Sequence, residues 1–186
     1  MFMDLKQILT PSNSILVVWD VQNGLVKGIF NRDQFVSGLE RTIGAARKAR
    51  IPIVYTKITP YPSGFEPYAS RVSSRQFRFT SEDLELYVKP AEGEIVLPKN
   101  TWSIFVGTNF ELLLRNSGRN AIIFTGIATE IGVETSARHA FALGFMPVIV
   151  SDAVSSFNRE GHERSLTNMK DFFPMITSQE LEKILQ

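Results

Sequence analysis

Six short apolar runs recur along the chain with helical patterns between them, and this alternation most constrains the fold. The runs are SILVVWD at 14–20, PIVYTK at 52–57, GEIVLPK at 93–99, NAIIFTG at 120–126, FMPVIVSD at 145–152, and the short FFPMIT. Continuous β-branched runs of this length, without polar alternation, are the mark of strands buried on both faces. Between them, DQFVSGLERTIGAARKAR sets Phe35, Leu39, Ile43 and Ala46 on one helical stripe. NFELLLRNSG closes on Gly118, a C-cap residue, and TEIGVETSARHAFALG opens on a capping threonine, Thr129, and closes on Gly144. Strand and helix in strict alternation predict a parallel sheet with right-handed crossovers and helices on both faces. At 186 residues with 44% apolar content, one domain spanning 1–186 is expected.

The remaining composition narrows the chemistry. Twenty basic residues against nineteen acidic ones leave a net charge of +1, which provides no field for a polyanion or an anionic membrane. The Arg-rich RVSSRQFRF segment, with Arg71, Arg75 and Arg78, lacks the wider basic surface that nucleic-acid binding needs, so no nucleic-acid partner is expected. Cysteine is absent, which removes disulfides, thiolate metal sites and thiol nucleophiles together. No run approaches ~20 continuous apolar residues, and MFMDLKQILTPSNS lacks the features of a signal peptide. A cytoplasmic protein with no membrane partner is the expectation. Residues 59–90, rich in Pro, Ser, Arg and aromatics, break the alternation and read as either a solvated loop or a lid.

Ligands of open parallel sheets bind beyond the carboxyl ends of the strands. That rule selects Asp20 at the end of VVWD, Lys99 at the end of VLPK, and the residues after Gly126, namely Ile127, Ala128 and Thr129. Each also has a structural reading: a turn for Asp20, a surface position for Lys99, a close helix contact for Gly132. His139 and His162 lack metal-ligand spacing. Trp19 and Trp102 read as core rather than as a cofactor stack.

Taken in order, three motifs resemble the isochorismatase-like hydrolase superfamily over nearly the whole chain. They are WDVQNG, GEIVLPKNTWSIF with Lys99, Ser103 and Phe105, and TGIATEIGVETSARHAFALGFMPVIVSDAVSSF. The resemblance implies a three-layer αβα fold around a doubly wound, six-stranded parallel sheet. It implies Asp20 and Lys99 as catalytic residues and Gln22, Asn23, Trp102, Ile127, Ala128, Thr129 and Gly132 as substrate-binding residues. It also implies a cis peptide between Ile127 and Ala128, and a homo-oligomer, dimer or tetramer, acting on a small-molecule substrate.

Most members read like "ATxxCV" where this chain has Ala128, Thr129, Glu130, Ile131, Gly132, Val133, so the nucleophilic cysteine is replaced by Gly132. Thr129 and Thr135 have no evident base nearby in the sequence, and an acyl-thiol route is excluded. True isochorismatases also carry glycine there, in a helix start reading like "HIGC", similar to EIGV. Their resemblance implies a neutral aspartic acid that protonates a vinyl ether carbon, with water completing the hydrolysis. Two departures are visible: Ile58 and Thr59 stand where isochorismatases have a glutamine motif after the second strand, and Ala128 replaces an aromatic. The Asp-x-His motif of the nicotinamidase branch is missing, so neither a metal nor another cofactor is implied. The expectation is a hydrolase using Asp20 and Lys99; the alternative is a catalytically silent member that binds a ligand or a protein partner.

Overall fold

The structure, a computed structural model, describes residues 4–72 and 79–186. Arg75, Arg78 and the side chain of Arg71 lie outside what is described. The elements follow the expected alternation: α1 (Leu5–Ile8), β1 (Ser14–Trp19), α2 (Asn23–Gly28), α3 (Arg32–Lys48), β2 (Ile53–Ile58), α4 (Tyr68–Val72), β3 (Ile95–Lys99), α5 (Phe110–Ser117) and β4 (Ala121–Ile127). A π-helical turn, Thr129–Val133, leads into α6 (Glu134–Ala142), followed by β5 (Met146–Ser155), α7 (Arg159–Lys170), β6 (Met175–Ile176) and α8 (Ser178–Ile184).

The six strands form one sheet in the order β3-β2-β1-β4-β5-β6, and every pairing is parallel. Strand β1 lies inside the sheet and all six of its residues are buried, which is why its sequence shows no polar alternation. Its side chains instead divide between two cores. Leu16 and Val18 join Phe35, Leu39 and Ile43 of α3 and Leu181 of α8 on one face. Ile15, Val17 and Trp19 join Phe110 and Leu114 of α5 and Val133, Ala137 and Ala140 of the π-turn and α6 on the other. Strand β3 is an edge strand, where Pro98 can sit without a ladder N–H.

Chain order reverses direction across β1 and β4, since β2 and β3 lie to one side of β1 and β4 to β6 to the other. This is the switch point at which open α/β sheets leave a crevice beyond their strand ends. Trp19 and Gly126 face each other in the register of these two strands. Gly126 has φ of +115°, and a Cβ there would lie 2.0 Å from the Trp19 carbonyl oxygen. Only glycine permits that approach.

Over its described part the segment 59–90 is an excursion of turns and loop with one short helix. It contains α4, and its last stretch is tied to the end of β1. The Asn23 N–H donates to the Glu85 carbonyl at 2.9 Å and the Tyr87 N–H to the Val21 carbonyl at 2.9 Å. Gln22 and Leu86 form an isolated antiparallel bridge. Among the described residues no helix is long and apolar enough to cross a membrane.

Candidate active site

Strand β1 ends by turning Asp20 into the left-handed region, φ +46°, a conformation that Asp and Asn tolerate better than most residues. Thr56 at the end of neighbouring β2 holds the turn. The Asp20 N–H donates to Thr56 Oγ1 at 2.9 Å, and the Thr56 hydroxyl donates to Asp20 Oδ1 at 2.5 Å. Lys99 reaches across from the end of β3, two strands away, and Nζ donates to Asp20 Oδ2 at 2.6 Å and to the Thr101 carbonyl at 3.1 Å. The same ammonium lies 3.9 Å from the centre of the Trp19 ring, a cation–π contact that fixes its third side.

Asp20 and Lys99 are only 3% and 5% exposed. Burial is the dominant influence on both. It lifts the Asp20 carboxyl above the usual carboxylate range although Lys99 pulls the other way, and it lowers the Lys99 ammonium although Asp20 opposes that. Each shift is toward that group's own uncharged form.

The pair lines a cleft of about 890 Å³ whose walls include Trp19, Trp102, Ile127, Ala128, Gly132 and Phe157, together with Ile58 at the end of β2 and Thr59, Phe79 and Leu84 from the excursion after it. The Ile127–Ala128 peptide at its base is cis. Gly132 has no free space above it. A Cβ built there would lie 1.9 Å from Trp19 Nε1 and 2.1 Å from Cε2, so the indole occupies the place where a side chain at position 132 would project.

Asp20, Lys99, Trp102, Ile127, Ala128 and Gly132 thus meet in one cleft. Trp102 does so as a rim residue, 68% exposed, which corrects its reading as core: it follows an edge strand, where the sheet ends. Gln22, Asn23 and Thr129 are not part of the cleft wall. Gln22 is a buried clamp, its Oε1 accepting from the Ile58 N–H at 2.8 Å and its Nε2 donating to the Leu84 carbonyl at 2.7 Å. The Asn23 side chain donates to the Glu82 carbonyl at 3.2 Å.

Thr129 does not cap the following helix. Ala128 is the N-cap residue, and three successive N–H groups, from Ile131, Gly132 and Val133, all point at its carbonyl. The Thr129 hydroxyl is fully buried and meets His162 Nδ1 at 2.8 Å, so a base does stand beside it, brought from α7. Burial keeps His162 below its ordinary pKa. Next to it Glu130 accepts from Ser156 Oγ at 2.6 Å. Thr129 and His162 therefore pin α7 to the π-turn behind the cleft.

Three parts of the site escaped sequence reasoning. Thr56 sits inside an ordinary strand run, Phe157 follows a strand that extends three residues past its apolar pattern, and Trp19 reads as core because it is core on one side. The one available signal was Trp19 standing immediately before Asp20.

The fold and cleft define an open, all-parallel αβα protein with a buried acid–ammonium pair at the ends of two strands. The isochorismatase domain matches residues 14–180, and the chain belongs to the isochorismatase family of hydrolases. The family protein YwoC of Bacillus subtilis is 32% identical over 168 residues, covering 87% of this chain and 86% of its own. The ureidoacrylate amidohydrolase RutB of Methylobacterium radiotolerans is 27% identical over 205 residues, covering 91% of this chain and 78% of its own. A cysteine hydrolase from Pseudomonas syringae pv. phaseolicola shares the fold, with a TM-score of 0.83 at 18% identity over 96% of this chain and 94% of that one.

Proposed function

We propose that this protein hydrolyses a small carboxylate-bearing metabolite by acid–base chemistry at Asp20, with Lys99 as electrostatic partner and no covalent thiol intermediate. The observation that carries this reading is the buried Asp20–Lys99 pair opening onto the cleft, beside a position 132 that has no nucleophile and no room for one. A buried, unsolvated acid–ammonium pair costs stability relative to apolar residues of the same volume. Its presence at strand ends facing a cleft suits catalysis better than packing.

In the proposed reaction, Asp20 protonates the terminal carbon of a vinyl ether. Water adds to the resulting oxocarbenium carbon and returns its proton to the carboxylate. The hemiketal then collapses to a carbonyl compound and an alcohol. Lys99 donates to Asp20 and to the Thr101 carbonyl and lies against the Trp19 ring, so it acts on a substrate oxygen through its charge.

The test is turnover of isochorismate-type vinyl ethers and of small amides, followed by NMR. Vinyl ether hydrolysis is the expected result. Asp20→Asn keeps the size but loses the transferable proton, and kcat falls by at least ~100-fold. The parent rate declines as pH rises through the folded pKa of Asp20, because only the protonated acid acts, and burial places that limb above the ordinary carboxylate range. Lys99→Met removes the cation that pulls Asp20 down, so the limb moves to still higher pH while KM rises. If no vinyl ether is turned over, the protein is a silent member that uses the cleft only to bind.

A further inference from the structure

The indole of Trp19 is 2% exposed, yet its N–H edge faces the wall of the cleft beside Gly132 rather than a protein acceptor. Among the described residues Glu130 Oε2 is the buried side-chain polar atom without a partner, and Trp19 Nε1 is not one, so this donor is reached from the cleft and is not sealed in the core. Among the described residues no acceptor pairs with Trp19 Nε1, while the nearby donors are committed elsewhere. The Gly132 N–H donates to the Ala128 carbonyl at 3.1 Å and the Val133 N–H to the same oxygen at 3.3 Å. Lys99 Nζ lies over the face of the same ring, 3.9 Å from its centre, and holds the indole in plane. The ring is thus fixed on one face by a cation and against Gly132 at its edge, and its only polar atom borders the cleft that Asp20 and Lys99 share.

We propose that Trp19 is a specificity-determining residue: its indole N–H donates to a carboxylate or carbonyl oxygen of a substrate bound in the cleft. This rests on the reading of the cleft as a substrate site. The selected ligand carries an acceptor oxygen within hydrogen-bonding reach of Trp19 Nε1 and places no bulk over Gly132, since the indole fills that space. Ligands that present a donor there instead leave two donors facing each other and are rejected.

Trp19 and Trp102 are the two tryptophans of the chain, so a nitrogen-15 labelled sample shows two indole N–H signals, assigned with Trp102→Phe. Pyruvate, which carries both acceptor types, is titrated into the wild-type protein, with calorimetry as the independent binding measure. The expected result is a saturable downfield shift of the Trp19 signal at the calorimetric Kd. Trp19→Phe keeps an aromatic ring without the N–H and weakens pyruvate binding about fivefold, the scale of one neutral hydrogen bond. Binding with the Trp19 signal unmoved, a shift confined to Trp102, or no binding up to the solubility of pyruvate overturns the proposal. The titration uses the wild-type protein, so an unfolded Trp19→Phe variant does not decide it. A Trp19 shift without any vinyl ether turnover upholds the donor and refutes the proposed reaction alone; turnover with an unmoved indole does the reverse.

Discussion

Gly132 meets two demands at once. It lies inside the π-turn that the Val133 N–H closes on the Ala128 carbonyl, and its Cα must lie against the edge of the Trp19 indole. Even one methyl group exceeds the space, with its nearest contact at 1.9 Å on a ring that Lys99 and the core hold in place. Gly132→Ala is expected to destabilise the fold by about 1–3 kcal/mol, the range for overpacking a filled interior. Thermal unfolding checks this. Trp19→Val introduced with it should recover much of the loss, because the clash is with the indole and not with the backbone. For the same reason Gly132→Cys alone does not install a thiol beside Asp20; the cysteine fits only where the indole has been trimmed.

At the level of elements, the site depends on segments that the strand ends recruit. Gln22 lies two residues past Asp20 and joins the end of β2 to the segment near Leu84 through three hydrogen bonds made by one side chain. Gln22→Ala leaves the Ile58 N–H and the Leu84 carbonyl without these partners. A loss of about 2 kcal/mol is expected, with faster proteolysis of residues 79–90 than elsewhere in the chain. Equal proteolysis in variant and parent would show that the backbone bonds from Asn23 and Tyr87 hold the segment unaided. On the other side of the cleft, α7 plays the matching part: His162 fixes Thr129, and Ser165 donates to Glu134 at 2.6 Å. The residue types that a family motif repeats can therefore serve the cleft by bracing its walls, without touching a ligand.

Across the whole molecule, the edge of the sheet is fastened to the helical layer by one polar network. Arg47 of α3 grips Glu94 through Nε and Nη2 at 2.8 and 2.9 Å, and the Tyr55 hydroxyl of β2 donates to the same carboxylate at 2.9 Å. These donors, Arg47 first, lower the Glu94 carboxyl to about 2. A carboxylate lowered by folding stabilises the native state above its unfolded pKa and loses that stabilisation as pH falls toward its folded pKa. The window is therefore from the ordinary glutamate range down to about 2. Arg47 is 40% exposed, so solvent screening limits the contribution to about 1 kcal/mol. Glu94→Gln should lower Tm modestly at neutral pH and flatten the acid limb of a stability-versus-pH curve measured in denaturant.

What the sequence determined by itself is what local periodicity and strand-end chemistry encode. The buried runs place all six strands, the stripe through Phe35, Leu39 and Ile43 places α3, and the strand-end rule picks Asp20 and Lys99. The π-turn after β4 was legible as a helix start but not as a π-turn, because Thr129 looks like a cap until His162 arrives from α7. What only the tertiary structure decided depends on residues far apart in the chain. Trp19 and Gly132 belong to different motifs, and that one fills the space over the other follows from the pairing of β1 with β4. Gln22 and Asn23 turn toward residues 82–85 and not toward the cleft, because that segment's backbone carbonyls need donors. Burial, which raises Asp20 against the pull of Lys99, is likewise a property of the assembled core, since desolvation comes from every element that closes over the pair.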